Sequence, residues 1–459
     1  MAGATYSLVP KAVKKVKTRY RHIATKIPVP QSIPVIKKLR KYEPISMTGQ
    51  PPVLWDRAEG LCVYDRWGNQ WLDWSSGVLV ANAGHSNPAI SRAMKKQIDH
   101  KLLHNYCFPS EIRSALAQRL VTIAPKGLDK AFILTTGAET TECAIKLSRT
   151  YGQSVGGKRK IKLITFANAF HGRTLGSQMA GGTPELKEWI VNVDPAFVNF
   201  EFPGDYRAKD ASFASFKRQL KEHKLTGKDI CGVMSETYQG GGASFMPKEY
   251  AQELRKWCTK NKVLLIFDEV QAGFGRCGKM FGFQHYGVVP DLTCLGKGIS
   301  SCMPISAVLG RRDVMDQYAP GSMTSTHTGN PICSAAAVAN IEYLVAHKLP
   351  QNAAKMGSLL QKELKRIQKA FPEHIGAVHG KGLVAGVHMI KKGTTDPDGD
   401  MAFVIVRKCM EKGLLMFSPV GAGGGTVKIA PPLTSTKTAI LEGTAVLEEA
   451  TAEAIAELN

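Results

Sequence analysis

The chain has 459 residues, 44% apolar and 21% charged, an ordinary globular composition long enough for two domains or for one large domain with a smaller partner. No apolar run approaches the roughly 18 residues a membrane span needs, and no internal repeat is present, so membrane-spanning and solenoid classes are excluded. Ten cysteines without a C-x-x-C pair indicate neither a zinc site nor a disulfide framework, and they suit a reducing, cytoplasmic compartment.

The formal charge of +22 is unevenly placed: residues 1–41 hold eleven Lys or Arg and no Asp or Glu. This basic extension reads as a solvated arm, helical where AVKKVKTRYRHIATK gives partial periodicity. An arm for anionic partners and a transit peptide are the other readings, though it lacks an apolar signal-peptide core. Pro28, Pro30 and Pro34 punctuate its exit. A segment over 42–75 follows, in which LCVYDRWGNQWLDW reads as a hairpin turning at Trp67-Gly68-Asn69, and a helix starts near Asn87-Pro88.

From Lys130 strand and helix alternate: AFILTT, ETTECAIKLSRTYG, KLITF, ICGVMSE, a helix over Lys248 to Lys260, VLLIF, LTC and AVLG. Such alternation predicts an α/β domain over 76–340, a mostly parallel sheet with helices on its faces. After Pro331 the pattern turns to separate runs, helix through CSAAAVANIEYLVAH, strand at GLVAGVHMI, helix near FVIVRKCMEKG, strand at GAGGGTVKIA and a last helix from Lys437. Separate runs predict a smaller α+β domain over 341–459, against which the first 75 or so residues pack.

The chemistry gathers around VLLIF and LTC, which read as parallel strands buried on both faces. The first stops at Asp268 and the second just before Lys297, so both side chains overhang the crevice at the carboxyl ends of the sheet, as an ion pair or as a reactive pair. TTGAETTEC puts Gly137 and Ala138 between strand and helix, where free backbone N–H groups can hold a phosphate or where a tight turn simply needs glycine. GFGRCG at 273–278 matches G-x-G-x-x-G but opens no helix, and GAGGGT near 421 lacks the lysine of a phosphate loop.

The stretch FDEVQAGFGRCGKMFGFQHYGVVPDLTCLGKGI strongly resembles the cofactor-lysine region of class III (subgroup II) aminotransferases, pyridoxal 5'-phosphate enzymes of fold type I. The resemblance runs roughly from Pro52 to Leu433, taking in D-x-x-S-G at Asp73 to Gly77 and G-H-x-x-P at Gly84 to Pro88. It implies a seven-stranded-type, mostly parallel sheet and a homodimer or dimer of dimers. It also implies that Lys297 forms the Schiff base and Asp268 keeps the pyridine nitrogen protonated, since an amine makes the imine and a carboxylate sustains the electron sink. By the same likeness Gly137 and Ala138 hold the phosphate, and Phe170 of NAFHGRT stacks on the ring opposite Val270 with His171 beside it. Glu236 and Gln271 belong to the cofactor site, and Thr326 of STHTGNP reaches the phosphate across the dimer interface. Two positions depart from the pattern. SETYQGGGA keeps Glu236 and Gln239 but has Gly241 where E-P-x-Q-G-E-G-G has its second glutamate, and KIAPPL has Lys428 where an arginine is expected. His327 replaces the usual aromatic and, without a second ligand nearby in sequence, is not read as metal-binding.

The resemblance therefore implies an aminotransferase that passes an amino group from a primary amine or ω-amino acid to a small oxo acid such as pyruvate. Because Gly241 and Lys428 remove the arginine and glutamate switch together, an amino-acid racemase or epimerase on the same scaffold is the alternative. Nucleic-acid binding by the basic arm would leave Lys297 and its neighbours unexplained.

Overall fold

The computed structural model describes residues 5–458, which form two compact units. The larger comprises Pro88–Gly240 and Ser244–Pro350. Its seven strands are β1 (Lys130–Leu134), β2 (Lys162–Phe166), β3 (Phe197–Phe200), β4 (Ile230–Glu236), β5 (Leu264–Asp268), β6 (Leu292–Leu295) and β7 (Ser306–Gly310). They lie in the order β1-β7-β6-β5-β4-β2-β3, with β7 alone antiparallel to its neighbours β6 and β1. The apolar runs that marked β4 and β5 are buried along their whole length, which explains why they lack the alternation of a half-exposed strand. Helix α1 (Gly137–Gly156) covers one face, and Ala144, Leu147, Leu163, Met234, Ile266 and Val308 meet in the core beneath it.

The second unit holds the chain up to Asn87, Gly241–Ala243 and the residues from Gln351 onward. A three-stranded antiparallel sheet orders β8 (Ile375–Lys381), β9 (Val384–Met389) and β10 (Thr426–Ile429) side by side, and the helix Lys437–Leu458 ends the described chain. The hairpin is present, Cys62–Tyr64 against Gln70–Asp73, with Gly68 at φ +84 in its turn.

The basic arm differs from the expectation of a solvated, partly helical extension. Residues 12–26 contain no helix; Val16–Lys17 pairs with His22–Ile23, and His22 joins the sheet at Gln70. Tyr20, Ile23, Ile27 and Val29 are buried, and Arg21 bonds Glu442 at 2.7 Å and the Lys412 carbonyl at 2.8 Å. Tertiary burial of a few apolar residues outweighs a weak helical period. The helix of this region comes later, at Ile33–Tyr42. No helix among the described residues is long and apolar enough to cross a membrane.

Candidate active site

In the larger unit the carboxyl ends of β1, β2, β4, β5 and β6 bring together most of the residues singled out from sequence. Asp268 closes β5 at 5% exposure. Its Oδ1 accepts the Val270 N–H at 3.0 Å, and its Oδ2 lies 2.8 Å from His171 Nδ1. A carboxylate oxygen accepts, so Nδ1 is the donor in this contact, and Nε2 is buried without a hydrogen-bond partner.

His171 is set by the loop after β2. Its carbonyl accepts the Thr141 hydroxyl at 2.8 Å, which also bonds the Ala138 carbonyl, so Thr141 ties the first turn of α1 to the histidine. Nothing in the local sequence pattern around Thr141 announces this contact, which spans 30 residues. Glu236, at the end of β4, accepts the Phe170 N–H at 3.0 Å and the Gly240 N–H at 2.9 Å, orienting the loop that carries Phe170. Phe170 is 39% exposed, and the Arg173 guanidinium lies 5.6 Å from its ring centre. A Cβ on Gly240 would fall 2.3 Å from Gln271 Nε2, so that glycine lets Gln271 close in on the Glu236 turn.

Helix α1 begins with Thr136 as its N-cap and Glu139 completing a capping box, and Glu139 also bonds the N–H groups of Thr135 and Thr136 at 2.8 Å each. Gly137 and Ala138 are the first helical residues, whose N–H groups have no intrahelical acceptor and point out of a 20-residue helix. Val270 packs against this corner so closely that a Cβ on Gly137 would lie 2.9 Å from its Cγ1.

Lys297 begins a short 3-10 turn after β6 with φ +43, a left-handed backbone uncommon for a side chain with a Cβ. Asn340, fully buried on the helix Pro331–Ala346, holds that turn: its Nδ2 donates to the carbonyls of Gly298 and Ile299, both at 2.9 Å, and its Oδ1 accepts from Ser301 at 2.7 Å. No motif flagged Asn340, since its role exists only once the helix is docked. Burial pushes the Lys297 amine below the usual lysine range, and the charges of Asp268 and Glu236 pull it partly back. A lysine so placed offers a neutral amine at lower pH than a solvated one does.

Two free helix N–H groups, a buried carboxylate and a desolvated lysine are the donor set pyridoxal phosphate needs, and they fit it. Thr326 is elsewhere, on an exposed turn whose Thr328 hydroxyl bonds the Ile133 carbonyl at 2.6 Å. Lys428 belongs to the other unit, buried on β10 opposite Gly386 of β9.

Residues 45–451 match the family described as Aminotransferase class-III. The chain belongs to that family. It is thus a pyridoxal-phosphate-dependent aminotransferase, acting between an amine donor and an oxo-acid acceptor. It is 31% identical to a 4-aminobutyrate aminotransferase of Mycobacterium leprae over 93% of this chain and 97% of the relative. It is 33% identical to a 5-aminovalerate aminotransferase of Pseudomonas putida over 88% and 94%. Among solved structures it is similar to the ornithine aminotransferase of Toxoplasma gondii, with a TM-score of 0.82, 26% identity and coverage of 93% and 96%. The aminotransferase therefore has the fold type I architecture expected of it, and none of these relatives is a racemase by name.

Proposed function

We propose that this aminotransferase takes the amino group of a primary amine or ω-amino acid and delivers it to a small oxo acid, with Lys297 and Asp268 as its catalytic residues. When bound, the cofactor supplies the electron sink that makes the substrate's Cα proton acidic. Lys297 would hold the cofactor covalently between turnovers and, once displaced by substrate, would use Nζ to take the proton from Cα and deliver it to the cofactor side rather than back to Cα. Asp268, kept in place by His171 Nδ1–H and Val270 N–H, lends its negative charge to the ring nitrogen. Gly137 and Ala138 would hold the phosphate, Phe170 and Val270 would bracket the ring, and Glu236 and Gln271 would shape the turn beside them. The relatives named for 4-aminobutyrate and 5-aminovalerate support an ω-amino acid as donor.

The observation that bears on the acceptor is the contact of Gly241 with Gly421. A Cβ on Gly241 would lie 2.9 Å from Gly421 Cα, so this segment has no room for the glutamate of the resembling pattern. Lys428 moreover offers a point charge in place of a planar fork, which orients one carboxylate loosely and suits strict dicarboxylate recognition poorly. Pyruvate is therefore expected to be a better acceptor than 2-oxoglutarate. Lys428→Ala should raise KM for every carboxylate substrate about tenfold, the value of one charge-assisted hydrogen bond. Steady-state kinetics on both acceptors decide it, and a clear preference for 2-oxoglutarate refutes it. Solvent deuterium in an inverted amino acid, with no oxo acid present, would establish racemisation instead.

A homodimer completing each site with the partner's Thr326 is also proposed. Ile98, Leu103, Tyr106 and Phe108 are exposed within one short segment, and Tyr106 bonds Thr324 at 3.0 Å, beside the Thr326 turn. All ten cysteines are free thiols, which supports a cytoplasmic location.

A further inference from the structure

Glu269 follows Asp268 and is fully buried. Successive residues at a strand end point to opposite faces, so its carboxyl turns away from the crevice that Asp268 faces. There Oε2 accepts the Gly282 N–H at 2.7 Å and Oε1 accepts the Phe283 N–H at 2.9 Å. Oε1 is also in close contact with the Thr237 hydroxyl, and the Tyr286 hydroxyl closes on the Thr237 carbonyl. Thr237 is the residue after Glu236, and its N–H donates to the Asp268 carbonyl at 3.3 Å. A Cβ on Gly282 would fall 2.8 Å from Thr237 Cγ2, so the three segments converge at a point where only glycine fits.

We propose that Glu269 is a positioning residue for the transamination. Its side chain clamps the turn after β4 to the turn after β5, and so fixes Glu236 and Asp268, the two carboxylates whose charge acts on Lys297. The proposal rests on the roles given above to Lys297 and Asp268. A surface ion pair would serve a merely structural purpose as well; a buried carboxyl bonded to three donors from two loops sets distances that neither loop sets alone.

The clamp also titrates. Burial pushes the Glu269 carboxyl up to about 7, against the hydrogen bonds from Thr237, Gly282 and Phe283 and with the charge of Asp268 adding to the rise. The other ionisable groups nearby are Tyr238 and Tyr286, both fully buried and raised by burial first, with Cys277, Arg276 and Glu236 acting on Tyr238. When protonated, Glu269 donates a hydrogen bond to the Thr237 hydroxyl oxygen, and the clamp persists. A folded-state value above the unfolded one of 4.5 means that the group stabilises the fold fully below pH 4.5 and loses that contribution as pH rises through about 7.

Glu269→Gln and Thr237→Val test it. In the cofactor-free protein, the chemical-denaturation midpoint of the wild type should fall between pH 4.5 and about 7, and Glu269→Gln should flatten that fall. In the loaded enzyme, Glu269→Gln should keep its cofactor and its KM values within about twofold while kcat drops about tenfold, roughly the value of one charge-assisted hydrogen bond. Should Glu269→Gln fail to fold, Thr237→Val carries the same kcat and KM prediction, with the pH fall displaced upward because a pKa-lowering hydrogen bond is gone. An unchanged kcat in either folded variant, or an unaltered pH profile in Glu269→Gln, overturns the proposal. If Asp268→Asn also turns over normally, it is the reading of the site itself that has failed.

Discussion

Asp268 is held by two hydrogen bonds, one from the Val270 N–H and one with His171 Nδ1, that fix the direction of its carboxyl. That is the condition for a carboxylate meant to act on a third group. Asp268→Asn keeps the size and still accepts one of the two hydrogen bonds, but it lacks the charge. The rate of amine half-reaction at saturating substrate should fall by about a thousandfold or more, some 4 kcal/mol of transition-state stabilisation, with the cofactor still bound through Lys297 and the α1 N-terminus. Single-turnover absorbance measurements read both quantities. Turnover within a few fold of wild type would make Asp268 a structural carboxylate.

At the scale of elements, the turn after β6 depends on one side chain from a distant helix. Asn340→Ala removes the side-chain donor that serves two carbonyls of the turn and is expected to cost about 1–3 kcal/mol of stability. It should also lower kcat, because the backbone of Lys297 is free to relax. Thermal unfolding and kcat measured on one preparation check this, and a stability loss with unchanged kcat would show that strand ends alone place the lysine. The strand ends themselves were legible in the sequence. Runs such as VLLIF and LTC stop where polar residues start, and those stops single out Asp268 and Lys297 as candidates, with Gly137 marked by its strand-to-helix corner and Glu236 only by the family resemblance. Asn340, Thr141 and Glu269 were not singled out, because each acts through a partner far along the chain and none sits in a distinctive local pattern. The edge strand β3, reading FVNF, and β8, reading IGAVHGK with mostly half-exposed residues, lacked the continuous apolar signature of their central neighbours and were missed. In the arm, apolar spacing imitated a helical face where the residues serve a sheet.

For the whole molecule the proposed dimer makes each site a shared object, which is testable without a structure of the assembly. Lys297→Ala or Thr326→Ala damages every site of its own homodimer, whereas in a mixed dimer both substitutions fall in one site. A mixed dimer holds one doubly damaged site and one intact site. Co-expression of the two variants at limiting cofactor should therefore recover about a quarter of wild-type activity, half the dimers being mixed and half their sites intact. Activity no higher than the mean of the two single-variant samples would show that Thr326 serves its own subunit or none.

The backbone of Lys297, at φ +43, sets folding and reactivity against each other at a single position. Glycine adopts that conformation freely and any residue with a Cβ does not, so Lys297→Gly should be more stable than Lys297→Ala by about 1 kcal/mol, though both are inert. Equilibrium denaturation of the two cofactor-free variants reads the difference. A library randomised at position 297 and sorted only for folded yield would enrich glycine, while the same library sorted for turnover would return lysine alone.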